Sequence, residues 1–105
     1  MAELPAPYRR FQEKYPELWK AYDQFGAQAH RAGPLDERTC ELVKLGIAVG
    51  SQSEGAVHSH VRKALEAGAS PDEVRHVILL AGPTIGWPTM MAAYTWAQDI
   101  LSPDS

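Results

Sequence analysis

Apolar residues recur along this chain at intervals of three and four, the spacing of helices, and nowhere keep up the alternation that marks a half-buried strand. The clearest stretch is Ser51 to Gly68, SQSEGAVHSHVRKALEAG. Val57, Val61, Ala64 and Leu65 fall at i, i+4, i+7 and i+8 and make one apolar stripe. Ser51 with Glu54 three residues on has the form of a capping box, which predicts a helix start at Ser51, and Gly68 supplies a left-handed stop. Upstream, Pro16 in a first-turn position precedes Leu18, Tyr22, Phe25 and Ala29, an amphipathic helix ending near Ala32 and Gly33. A short helix over Tyr8 to Tyr15 comes before it, after an extended, flexible arm over residues 1–7 that carries Pro5 and Pro7.

Asp36 is a good N-cap for a helix in which Leu42, Val43, Leu45, Ile47, Ala48 and Val49 cover nearly every side, so that helix is expected to be buried all round. Ser70-Pro71-Asp72-Glu73 joins an N-cap, a proline at the first helical position and a capping-box Glu, with Val74, Val77, Ile78 and Ala81 as its inner stripe. Gly82-Pro83 should end or kink that helix, and Gly86-Trp87-Pro88 restarts one whose inner residues are Met90, Ala93, Tyr94, Ala97 and Leu101. Residues 102–105 are expected to fray. The pattern predicts five or six helices joined by short loops, an all-α single domain over residues 1–105.

Composition narrows the partners. With a net charge of -3 there is no basic footprint for nucleic acid and no Lys/Arg cluster for an anionic membrane. No apolar run is long enough to span a bilayer, and MAELPAPYRRF lacks the apolar core of a signal peptide, so a cytoplasmic location is expected. The lone cysteine, Cys40, cannot form an intrachain disulfide or by itself build a thiolate metal site, and it is expected in the core, where a thiol is inert. Small size, the apolar helix after Glu41, and Trp87, Met90, Met91 and Trp96 together predict a homo-oligomer.

Two histidines interrupt the Ser51–Gly68 helix. At about 100° per residue, His60 lies on one edge of the apolar stripe and His58 about 200° away, so they are not a chelating pair. His30 and His76 lie on other helices, off any shared face. No Cys or Asp/Glu spacing completes a metal's first shell around these residues, so no metal and no cofactor are expected. Glu41 stands at the start of the apolar run. On spacing alone an exposed carboxylate paired with Arg38 or Lys44 is favoured over a partly buried acid.

Taken together, LDERTCELVKLGIAVG, EGAVHSHVRKALEAGASPDEVRHVILLAG and the GWP before the last helix resemble the carboxymuconolactone decarboxylase family, which includes alkylhydroperoxidase D-like proteins. The resemblance covers roughly Leu35 to Leu101. It implies an alkylhydroperoxidase D-like all-α bundle that assembles into trimers or hexamers. In the peroxidase branch a Glu is followed twelve residues later by C-x-x-C, and a His comes four after the second Cys. Here Glu41 is twelve before Ser53, Ala56 holds the second cysteine position, and His60 follows four later. Both cysteines are missing, which removes the nucleophilic and resolving thiols that peroxide reduction by that motif requires. The decarboxylase branch lacks the pair as well. The resemblance therefore implies Glu41 and His60 as the catalytic residues of a thiol-independent acid/base site, a lyase acting on a small carboxylated molecule. A non-enzymatic oligomeric scaffold or small-ligand binder is the alternative, and an antioxidant role is disfavoured.

Overall fold

The computed structural model describes residues 6–101. Among these the structure is all α, with seven helical segments: α1 (Ala6–Lys14), α2 (Pro16–Arg31), α3 (Glu37–Gly50), α4 (Glu54–Glu66), α5 (Pro71–Leu79), α6 (Ala81–Ile85) and α7 (Trp87–Gln98). They fall into two compact units, one ending at Leu35 and one beginning at Asp36. Ala6 and Pro7, expected in an extended arm, belong to α1 instead, since a proline is tolerated in a helix's first turn, where its missing N–H has no partner to lose. The rest of that arm, and residues 102–105, lie outside the described residues.

In the first unit α1 and α2 pair through aromatic rings. Phe11 lies 5.3 Å from Tyr15 and 6.3 Å from Trp19, and Trp19 lies 5.7 Å from Tyr22, centroid to centroid. Neither helix buries a residue. The stripe read from spacing is present on α2, yet Leu18, Tyr22 and Phe25 stay exposed, Phe25 by 73%.

The core lies in the second unit. Leu45 and Val49 of α3, Val57 and Val61 of α4, and Val74 and Ile78 of α5 are almost wholly buried, each contributing about 1.5–3 kcal/mol by burial. Met90, Ala93 and Ala97 of α7 close it from the far side. α3 begins where Asp36, in an extended conformation, accepts a 2.8 Å hydrogen bond from the Thr39 amide. That bond holds the Asp36 carboxyl below its usual range. The helix is not buried all round. Val43 and Ile47 are exposed, Ile47 by 67%, because α4, α5, α6 and α7 pack on one side of α3 and, within this unit, leave the other side uncovered.

α4 starts two residues later than the Ser51–Glu54 spacing predicts, with Ser53 rather than Ser51 as its cap. Ser51 is consumed in ending α3: its amide donates to Ile47 O at 3.0 Å and its hydroxyl to Ala48 O at 2.7 Å. Gln52 then turns the chain at φ 57°, and Ser53, extended, becomes the N-cap, its Oγ accepting from the Ala56 amide at 3.3 Å. The far end follows expectation. Gly68 takes φ 99°, which costs glycine little, and the Ala69 amide reaches back to Ala64 O at 3.0 Å, closing the helix in Schellman fashion.

Ser70 and Glu73 form the reciprocal capping box of α5. This box, with Arg38 beside it, holds the Glu73 carboxyl below its usual range. Pro83 cannot donate to Leu79 O and its ring crowds that carbonyl, so the break falls ahead of Gly82-Pro83, at Leu80, and α6 is a five-residue continuation. Gly86 at φ 106° turns the chain into α7, with Pro88 in its first turn.

Candidate functional site

α3 and α4 pack side by side. Glu41, one turn into α3, and His60, midway along α4, are brought together at this contact. Glu41 Oε1 lies 3.6 Å from His60 Nδ1, and Glu41 is 6% exposed. The spacing-based preference for an exposed acid is thereby corrected, because α4 covers the side of α3 on which Glu41 sits. Its expected ion pair exists all the same: Lys44 Nζ lies 3.8 Å from the same Oε1. One carboxylate oxygen thus faces an ammonium on its own helix and an imidazole on the next.

His60 keeps some contact with solvent, its side chain being 19% exposed, while its Nδ1 is buried and too far from Glu41 for an ordinary hydrogen bond. Burial lowers its proton affinity below that of a free histidine. The charges of Lys63 and Lys44 act in the same direction and Glu41 opposes them. Near neutral pH the ring is therefore an uncharged imidazole, one nitrogen a donor and the other an acceptor. Such a ring can take or pass on a proton, and the adjacent carboxylate favours any imidazolium formed.

The other histidines and the cysteine stand on separate turns of the helices. His58, as its helical phase predicts, points away from His60 and places Nε2 2.9 Å from Asp99 Oδ2, just past the end of α7. His30 lies on α2 and is half-buried; His76 is exposed on α5. Cys40 is half-buried rather than in the core, since one residue before the inward-facing Glu41 turns it about 100° aside. Sequence reasoning passed over Lys44 as a site member, although its i+3 spacing from Glu41 was the available signal. Asp99 had no such signal.

The second unit also carries an apolar groove of about 480 Å³ between α3 and the α5–α6 segment, lined by Thr39, Val43, Gly46, Leu80, Thr84 and Ile85 among others. Neither Glu41 nor His60 lines it.

Comparison with known proteins agrees with this architecture. The sequence model of the carboxymuconolactone decarboxylase family matches residues 16–99. A crystal structure of a carboxymuconolactone decarboxylase family protein from Legionella pneumophila superimposes with a TM-score of 0.74 at 25% identity, covering 88% of this chain and 82% of that one. An uncharacterized protein of Methanocaldococcus jannaschii is 29% identical over 85% of this chain and 83% of its own length. An uncharacterized protein of Haemophilus influenzae is 36% identical over 50% of this chain, a match spanning 46% of that relative.

Proposed function

The chain belongs to the carboxymuconolactone decarboxylase family, and from that membership we propose that it performs thiol-independent acid/base chemistry on a small carboxylated molecule, with His60 and Glu41 as its catalytic residues. The observation that carries the proposal is the 3.6 Å approach of the buried Glu41 to His60. Loss of carbon dioxide breaks a carbon–carbon bond and leaves the electron pair on the remaining framework, delocalised toward an oxygen. The protonated fraction of His60 then delivers its proton to the framework carbon, and the ring, left neutral, is reprotonated from solvent. Glu41 orients the imidazole and favours its charged form. No cofactor enters this chemistry. A thiol peroxidase role is disfavoured because the chain has a single cysteine.

The protein acts as a cytoplasmic homo-oligomer in this proposal, a trimer or hexamer. Support comes from the exposed Val43 and Ile47 of α3 and the exposed apolar residues of α2. No helix among the described residues is long and apolar enough to cross a membrane.

A second proposal, a non-enzymatic scaffold or small-ligand binder, draws on the apolar groove, which lies apart from the Glu41–His60 pair. One set of variants separates the two. With a carboxylated lactone as substrate, His60→Ala should lose about 10²–10⁴-fold in turnover, the usual contribution of a positioned acid or base. Glu41→Gln should fall between it and the unaltered chain, and Cys40→Ala should retain most activity. Absence of turnover, with His60→Ala lowering only the melting temperature, leaves the scaffold reading. Dithiol-dependent peroxide reduction abolished by Cys40→Ala would overturn thiol independence.

A further inference from the structure

Apart from the Glu41–His60 pair, a second set of side chains among the described residues brings metal-ligating atoms together within the second unit. Glu54 and His58 are four residues apart on α4 and share a face, and Asp99 reaches them from the residue that follows α7. His58 Nε2 lies 2.9 Å from Asp99 Oδ2 and 4.0 Å from Glu54 Oε2. The three ligand atoms all lie within 4.8 Å of one another. Spacing along the chain gave no such set, because Asp99 is 41 residues from His58.

We infer that Glu54, His58 and Asp99 form a binding site for one divalent transition-metal ion of the zinc class. Bonds to zinc of about 2.0–2.2 Å place two donors about 3.0 Å apart at a right angle and about 3.4 Å apart at a tetrahedral one. The 2.9 Å and 4.0 Å separations bracket these values, and the side chains of Glu54 and Asp99 are more than half exposed, free to close the difference by rotation. Two carboxylates supply the negative charge. The imidazole nitrogen selects zinc, copper or nickel over magnesium or calcium, which prefer all-oxygen sets. Three protein donors leave at least one position for water or a small anion. The bound ion would clasp the first turns of α4 to the residue that follows α7. This site is separate from His60, about 200° around α4 from His58, and stands or falls independently of the proposed decarboxylation.

Zinc chloride titrated into the untagged full chain, followed by calorimetry and by the melting temperature, tests the inference. One zinc per chain should bind saturably and raise the melting temperature. His58→Ala and Asp99→Asn should each weaken binding by more than the roughly 10–100-fold loss typical of a mere supporting partner. His60→Ala should bind as the unaltered chain does. Asp99 is exposed, so its amide variant folds and keeps the test decisive should His58→Ala not. The inference is overturned if no saturable binding appears up to millimolar zinc, if Asp99→Asn binds as tightly as the unaltered chain, or if His60→Ala removes the binding.

Discussion

Replacing Glu41 by Gln should make His60 harder to protonate, and replacing Lys44 by Gln should make it easier. Two unit charges 3.6 Å apart interact by about 1 kcal/mol even in the dielectric of water. Glu41 is buried, so that figure is a floor for what its charge does to an imidazolium at His60. Removing the charge while keeping the shape should lower the ring's proton-binding constant by at least roughly fivefold. Lys44 acts in the opposite sense, one of the cations that hold the ring neutral. Its side chain is 34% exposed, so solvent screens it and the rise in Lys44→Gln should be the smaller of the two. The assay is an NMR titration of imidazole ring protons between pH 4 and 9 on the order of one-half unit steps. The chain has four histidines, and His60 is assigned by the resonance missing from His60→Ala. A His60 midpoint unmoved or raised in Glu41→Gln would falsify the electrostatic coupling on which the proposed site rests. Midpoints of His58 and His76 that shift as much as that of His60 would point to a general change in fold instead.

Stability should also depend on pH through His60. Its folded-state proton affinity is lowered, so below about pH 6.5 the unfolded chain binds a proton that the native chain does not. The stability gained by keeping the ring neutral is complete above that pH and declines as pH falls toward the folded midpoint; urea midpoints at pH 7.5 and 5.0, conditions chosen on the order of a unit either side of it, should drop further in the unaltered chain than in His60→Gln, and an equal drop refutes the linkage. At micromolar concentration, light scattering should give a multiple of the 11.6 kDa chain mass, and a monomeric mass would count against the proposed assembly. Ser53→Ala should cost about 1 kcal/mol in urea unfolding as a lost N-cap, and an unchanged urea midpoint in that variant would count against Ser53 as the cap of α4.

The helices themselves were legible because their signals are local. A capping box, a proline in a first turn and an apolar stripe act within a few residues; α2, α5 and α7 start as those signals predict, and α5 and α7 also bury the stripe they predict, whereas that of α2 stays exposed. The errors arise where two local signals compete or where the answer depends on a distant segment. Ser51 has the residues of an N-cap, but the carbonyls at the end of α3 take its amide and hydroxyl first. Apolar residues on every side of α3 imply burial, yet whether Val43 and Ile47 are covered depends on what packs there, and spacing is silent on that. Glu41 was ambiguous for the same reason. Its partner on α3 is local and visible, whereas the burial by α4 is tertiary, and only the family resemblance pointed across to His60.

That resemblance also gives meaning to two small residues. Ser53 and Ala56 occupy the positions of the peroxidase motif's cysteine pair, and the structure joins them by a different bond, Ser53 Oγ accepting from the Ala56 amide at 3.3 Å. A helix start can serve either as an activating environment for a thiolate, through its unpaired amides and dipole, or as a capped end in which a hydroxyl satisfies one of those amides. In this chain the second use is the one seen, and with Ala56 in the other position no thiol stands at either. What remains beside those two positions is Glu41, on α3, and His60, one turn past Ala56 on α4, brought together by the packing of α3 on α4 rather than by the helix start. A carboxylate and an imidazole held together by that helix packing need no thiol to stay in position, which is why the chemistry proposed for this protein is assigned to Glu41 and His60 and not to Cys40.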